Sequence, residues 1–154
     1  MALAFWLGGL TFYAAVVIPA GHRVLGSHTL VGMVTQQVTH GVNAAAVIAL
    51  AASLWNLANR WSRTPRRLRG GLAATWVILA VAQLMLFLLH PVLDGLIDAQ
   101  AHVVLDGGRF YGLHRVYLIG TTIQIMIGVA HAGCVLAAWQ DEDRLRSGSS
   151  SSPP

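Results

Sequence analysis

Of the 154 residues, 55% are hydrophobic and only 10% charged, and the mean hydropathy is +0.60. A soluble domain of this size needs about a quarter charged residues to cover its surface, so the composition excludes an ordinary soluble enzyme and a disordered chain. The net charge of +4 comes from arginine alone, since there is no lysine, and its clustering excludes a general nucleic-acid surface.

Four apolar runs, residues 2–20, 38–58, 71–89 and 116–139, are each close to the 20 residues that a membrane helix needs. Backbone groups in lipid must be paired within their own segment, so helices are expected. A barrel would alternate apolar and polar residues, and these runs do not. The first run begins at the initiator without a basic flank and exceeds the usual signal core, which predicts a retained helix.

Between the second and third runs stand Arg60, Arg63, Arg66, Arg67 and Arg69. Such a cluster beside a membrane fixes topology and meets anionic lipid headgroups, its expected partners, while nucleic acid is not one. Arg144 and Arg146 share that side, and the other two loops hold only Arg23, Arg109 and Arg115. The positive-inside rule then places both termini and the 60–69 loop in the cytoplasm. Residues 21–37 read as a polar outer loop. Residues 91–111 read as partly helical, with Pro91 in a first turn, Gly107-Gly108 as a stop, and Asp94, Asp98 and His102 on one face; the segment is expected to lie amphipathically on the outer membrane surface or to continue the third helix beyond a proline kink. The expectation is an all-α, up-down four-helix membrane bundle over 1–140. A charged, then Ser/Pro-rich, disordered cytoplasmic tail follows over 141–154.

This topology sorts the histidines. His22, His28, His40, His90, His102 and His114 fall near the outer side, as do Asp94, Asp98 and Asp106, while His131 lies toward the inner side. Imidazole and carboxylate together suit a divalent metal or copper, with His90, Asp94, Asp98, His102 and His114 as the ligand candidates. His40, His90 and His114 share a depth that would also allow one b-type haem; a second is excluded because His131 has no histidine at its level. Cys134 lies alone in an apolar run and is read as a packing residue.

His114, Tyr117, Thr121, Gln124, Gly128 and His131 form one stripe along the fourth helix. Trp76, Gln83, Phe87 and His90 answer from the third, and Gln36, His40 and Asn43 from the second. Polar side chains at membrane depth face the bundle interior and pair there. A packing network is favoured over a conduction path. His131 is expected to be neutral, with a partner from another helix, a backbone carbonyl or water, because Gln124 stands about 10 Å away along the axis. No Ser/His/Asp arrangement, GxSxG motif or paired intramembrane carboxylates are present, so the first functional expectation is a non-catalytic accessory or scaffold protein in a larger membrane assembly. The alternative is an outer-facing metal or haem site serving transport or resistance.

The stretches LGGLTFYAAVVIPA (7–20), HPVLDGLIDA (90–99) and GRFYGLHRVYLIG (108–120) resemble the small bacterial membrane proteins of the DUF4149, or TMEM205-like, family. The Phe110-Tyr111-Gly112-Leu113-His114 element matches that family's opening of the fourth helix. The resemblance runs to about Trp139 and implies a multi-pass protein of the bacterial inner membrane. It also implies membrane handling of a metal-containing solute. Relatives often carry Ser and Asn where this chain has Tyr117 and Thr121, so the family's polar site is altered here. A looser similarity to CopD-like proteins points in the same direction.

Overall fold

The computed structural model describes residues 1–98, 100–101 and 103–149. Among them four helices are long and apolar enough to cross a membrane, so the chain is a multi-pass membrane protein. These are α1 (Ala2–Leu25), α2 (His28–Arg60), α3 (Arg66–Asp94) and α4 (Gly107–Ser149). Each helix packs on its sequence neighbour and α4 closes back onto α1, the ring expected of an up-down bundle.

The helices outrun the apolar segments that announce them. The expected outer loop 21–37 is helical except at a tight turn, where Gly26 adopts φ +59° and Ser27 caps α2 by accepting from the Leu30 N–H at 3.4 Å. Glycine takes this left-handed position without a Cβ penalty. Polarity there marks exit from the hydrocarbon and not the end of the helix. At the other terminus α4 continues through Ser147 to Ser149, beyond the expected start of the disordered tail, and residues 150–154 lie outside the described ones.

After the third run the helix does continue past Pro91, as one of the two expectations has it, but it stops well short of the expected extent. α3 passes through Pro91 and ends at Asp94. A small hairpin follows, β1 (Ile97–Asp98) paired antiparallel with β2 (Val103–Val104). Asp98 explains the change, because its Oδ1 accepts from the Gln100 and Ala101 N–H groups, both at 2.9 Å. An aspartate that turns the backbone this way competes with helix. Gly107-Gly108 opens α4 instead of ending a helix, and Asp106 Oδ1 accepts from the Arg109 N–H at 3.0 Å as its cap.

Inside α1 a π-turn covers Tyr13–Val17, just before Pro19. Proline has no N–H and crowds the carbonyl four residues back, and a locally widened turn accommodates both defects. In lipid, helix association depends on close packing and hydrogen bonds more than on apolar burial. Small residues accordingly line the contacts. Ala46 and Ala49 of α2 are fully buried against Trp6, Leu7 and Leu10 of α1.

The arginine end is tied together by charge. Arg60 donates to Glu142 at 3.0 Å, and Arg67 pairs with Asp141, joining α4 to α2 and α3. Asp141 and Glu142, at the charged start of the expected tail, therefore latch the bundle. Arg69 donates to the Thr64 and Ser62 carbonyls at 2.9 and 3.1 Å and closes the loop between α2 and α3.

Candidate metal centre and polar interior

The end of the bundle away from the arginines brings two histidines and one carboxylate together. His90 and Asp94 sit one turn apart on the last two turns of α3, and His40 reaches them from α2. His90 Nδ1 stands 3.0 Å from Asp94 Oδ2, and His40 Nε2 stands 3.6 Å from the same oxygen. Each of the three residues offers one donor atom, and these donors all lie within 4.8 Å of one another. Nitrogen and oxygen ligands about 2.0–2.2 Å from a tetrahedral ion are roughly 3.3–3.6 Å apart, so the cluster needs only a small adjustment to close on one.

The three residues differ in exposure. His90 is buried, Asp94 half-buried and His40 exposed. His90 Nε2 is also buried and has no hydrogen-bond partner, so this ring is held in place by packing and by Asp94. The Tyr117 ring meets it edge-on at 6.3 Å. The donor set, two imidazoles and a carboxylate with one side open, suits a borderline divalent ion better than calcium or magnesium.

Two other sequence candidates, His114 and Asp98, are engaged elsewhere. His114 stacks on Phe110, with ring centroids 5.6 Å apart, and does not join the cluster. Asp98 spends its Oδ1 on the hairpin turn, and His102 lies outside the described residues. The haem alternative does not fit. His40 and His90 stack face to face at 4.4 Å with an interplanar angle of 22°, whereas axial ligands must face one another from opposite sides of a macrocycle.

Deeper in the bundle the polar stripes meet as expected of a packing network. Gln124 Nε2 donates to Gln83 Oε1 at 2.8 Å, and Gln83 Nε2 donates to Asn43 Oδ1 at 3.1 Å. Tyr117 adds a longer contact to Asn43 at 3.5 Å. All three amide side chains are buried, and together they link α4, α3 and α2. Thr121 instead bonds back to the Tyr117 carbonyl at 3.0 Å. Phe87, expected on the inner stripe, is 57% exposed and faces outward. Trp76 reaches inward, its indole donating to the Leu50 carbonyl at 3.1 Å.

His131 is 1% exposed and finds its partners on two other helices. Its Nε2 lies 3.0 Å from Ser53 Oγ on α2, and its Nδ1 lies 2.8 Å from Thr75 Oγ1 on α3. Thr75 directs its single proton to the Gly71 carbonyl at 2.7 Å. Its oxygen therefore accepts from Nδ1–H, which leaves Nε2 to accept from Ser53. A neutral imidazole satisfies every group in this arrangement. Neither hydroxyl was singled out from sequence, although Thr75, Leu79, Gln83, Leu86 and His90 follow at helical steps on α3.

No protein family, curated protein or solved structure matches the chain.

Proposed function

We propose that this protein is a multi-pass membrane protein that binds a borderline divalent metal ion, of the zinc, copper or nickel kind, at the end of the bundle away from the arginines. The convergence of His40, His90 and Asp94 from two helices carries this reading. His90 is the buried anchor, Asp94 supplies the charge, and exposed His40 leaves the ion exchangeable with solvent. Such a site handles metal, by delivery, uptake or sequestration, without needing a catalytic group.

Equilibrium dialysis of the purified protein against Zn²⁺, Cu²⁺ or Ni²⁺ tests this. About one ion per chain is expected, and His90→Ala should weaken binding roughly 100-fold or more, the loss of a ligand exceeding the 10–100-fold typical of outer-shell changes. His114→Ala should bind normally. Equal affinity in His90→Ala and the wild type would end the metal reading.

A second reading, an accessory or scaffold subunit, draws support from the Asn43–Gln83–Gln124 chain, whose interhelical bonds hold three helices in register. Partner subunits that co-purify with the chain in stoichiometric amount would favour it.

In the orientation we propose, the arginine end faces the cytoplasm. Arg60, Arg67 and Arg69 are engaged within the protein, so exposed Arg63 and Arg66 are left for anionic headgroups. Single cysteines at exposed Ser62 and Leu105, in a Cys134→Ala background, report the sidedness. An impermeant maleimide should label Leu105→Cys in intact cells and spare Ser62→Cys. The opposite pattern would reverse the topology.

A further inference from the structure

At the arginine end, away from the metal cluster, α2, α3 and α4 enclose a cavity whose polar lining is Ser53, Asn56, Arg60, Thr64, His131 and Glu142. Its free volume for water centres is about 20 Å³. One water needs about 10–15 Å³ by this measure, so the cavity has room for about one water. Beside it lies a broader recess of about 250 Å³, lined by Arg60, Trp139, Glu142 and Asp143. Arg60, Trp139 and Glu142 line both spaces. There Arg60 donates to Glu142 at 3.0 Å while its guanidinium lies 5.7 Å from the centre of the Trp139 ring.

His131 lies at the inner wall of this cavity. Farther into the bundle the packing is dry. Leu79 and Ala46 are fully buried, and Leu7 lies against Gly128. The next polar group on α4, Gln124, is about 10 Å along the axis. The lining also has a sign. Glu142 cancels the charge of Arg60, Asp143 adds a carboxylate at the recess, and His131 presents a ring nitrogen to a hydroxyl rather than a cation.

We infer that the arginine end contains a water-filled inlet, necked by the Arg60–Glu142 pair, that admits water and small cations as far as His131 and no further. Polar groups at membrane depth line water-filled cavities where they do not pair wholly with one another. The consequence is that His131 exchanges protons with one face of the membrane only, the face opposite the His40–His90–Asp94 cluster.

Silver ion is a suitable probe, being small, cationic and reactive toward thiols. Leu57 and Val135 line the cavity without bonding His131, and Ala46 lies in the dry layer. Each is changed to cysteine in a Cys134→Ala background, the folded protein is treated with silver, and the thiols left unblocked are counted with maleimide after unfolding. Elution as a single symmetric peak qualifies each variant as folded. Silver should block Leu57→Cys and Val135→Cys and spare Ala46→Cys, while a polyethylene-glycol maleimide labels none of the three in the folded protein. Adding Glu142→Gln leaves the Arg60 charge uncancelled on the way in and should slow the silver reaction about tenfold. If Leu57→Cys and Val135→Cys stay as inert as Ala46→Cys, there is no inlet. Silver reaching Ala46→Cys would replace the dead end with a through path, and an unchanged rate in Glu142→Gln would remove the neck.

Discussion

Gly128→Ala is expected to destabilise the bundle by about 1–3 kcal/mol, the usual cost of forcing extra volume into a packed contact. A Cβ at Gly128 would stand 2.6 Å from Leu7 Cδ2, 3.1 Å from Cδ1 and 3.3 Å from Cγ. The whole end of the leucine is in the way, and Leu7 has nowhere to turn, being buried with Trp6, Leu10, Ala46 and Ala49. Helix α1 must therefore move off α4. Gly120 provides the control. A Cβ there meets Met85 Cε at 2.7 Å and Leu86 Cδ2 at 3.1 Å, but Met85 is 40% exposed and its flexible tip can swing into lipid. Gly120→Ala should cost clearly less than Gly128→Ala in detergent-unfolding equilibria, and adding Leu7→Ala should recover part of the Gly128→Ala loss. Equal costs at the two glycines would show that the α1–α4 contact is softer than its geometry implies.

The span count was legible because bilayer thickness and backbone hydrogen bonding leave one solution for four apolar runs. The helix ends were not. Residues 21–37 look like a loop because they are polar, yet a helix outside the hydrocarbon keeps its backbone bonds and tolerates polar side chains; Gly26 and Ser27 alone mark the true break. The outer segment failed for a different reason. Asp94, Asp98 and His102 carry a helical spacing, but the Asp98 carboxylate bonds to local backbone and turns the chain, a competition that spacing does not reveal.

For the cluster, sequence joined His90 and Asp94 in one metal set, with Asp98, His102 and His114 beside them, and put His40 with His90 and His114 on a haem. Depth along the membrane was readable. Rotation of one helix against another was not, and it decides that His114 turns toward Phe110 while His40 turns toward His90. The amide network was better placed, since a buried glutamine in lipid must find a partner and only the facing stripes offer one.

Gln83→Leu should cost more stability than His131→Leu, about 2 kcal/mol against about 1 kcal/mol, although both remove a buried polar group of two contacts. Gln83 accepts from Gln124 and donates to Asn43. With leucine in its place the Gln124 amide has no other partner within the network, and Asn43 keeps only the 3.5 Å contact from Tyr117. A buried donor left without an acceptor costs about 1–3 kcal/mol. The partners of His131 are hydroxyls, and hydroxyls on helices have a fallback. Thr75 already bonds to the Gly71 carbonyl, and Ser53 can turn to a carbonyl of the preceding turn of its own helix in the same way, as Thr35 and Thr39 do on α2. Losing His131 then forfeits only the bonds themselves, about 0.6 kcal/mol each in membrane bundles, and leucine restores much of the volume. Reversible unfolding of the two variants in the same detergent measures the difference. His131→Leu proving as costly as Gln83→Leu would mean that the imidazole organises the inner end of the bundle in a way its hydrogen bonds do not show.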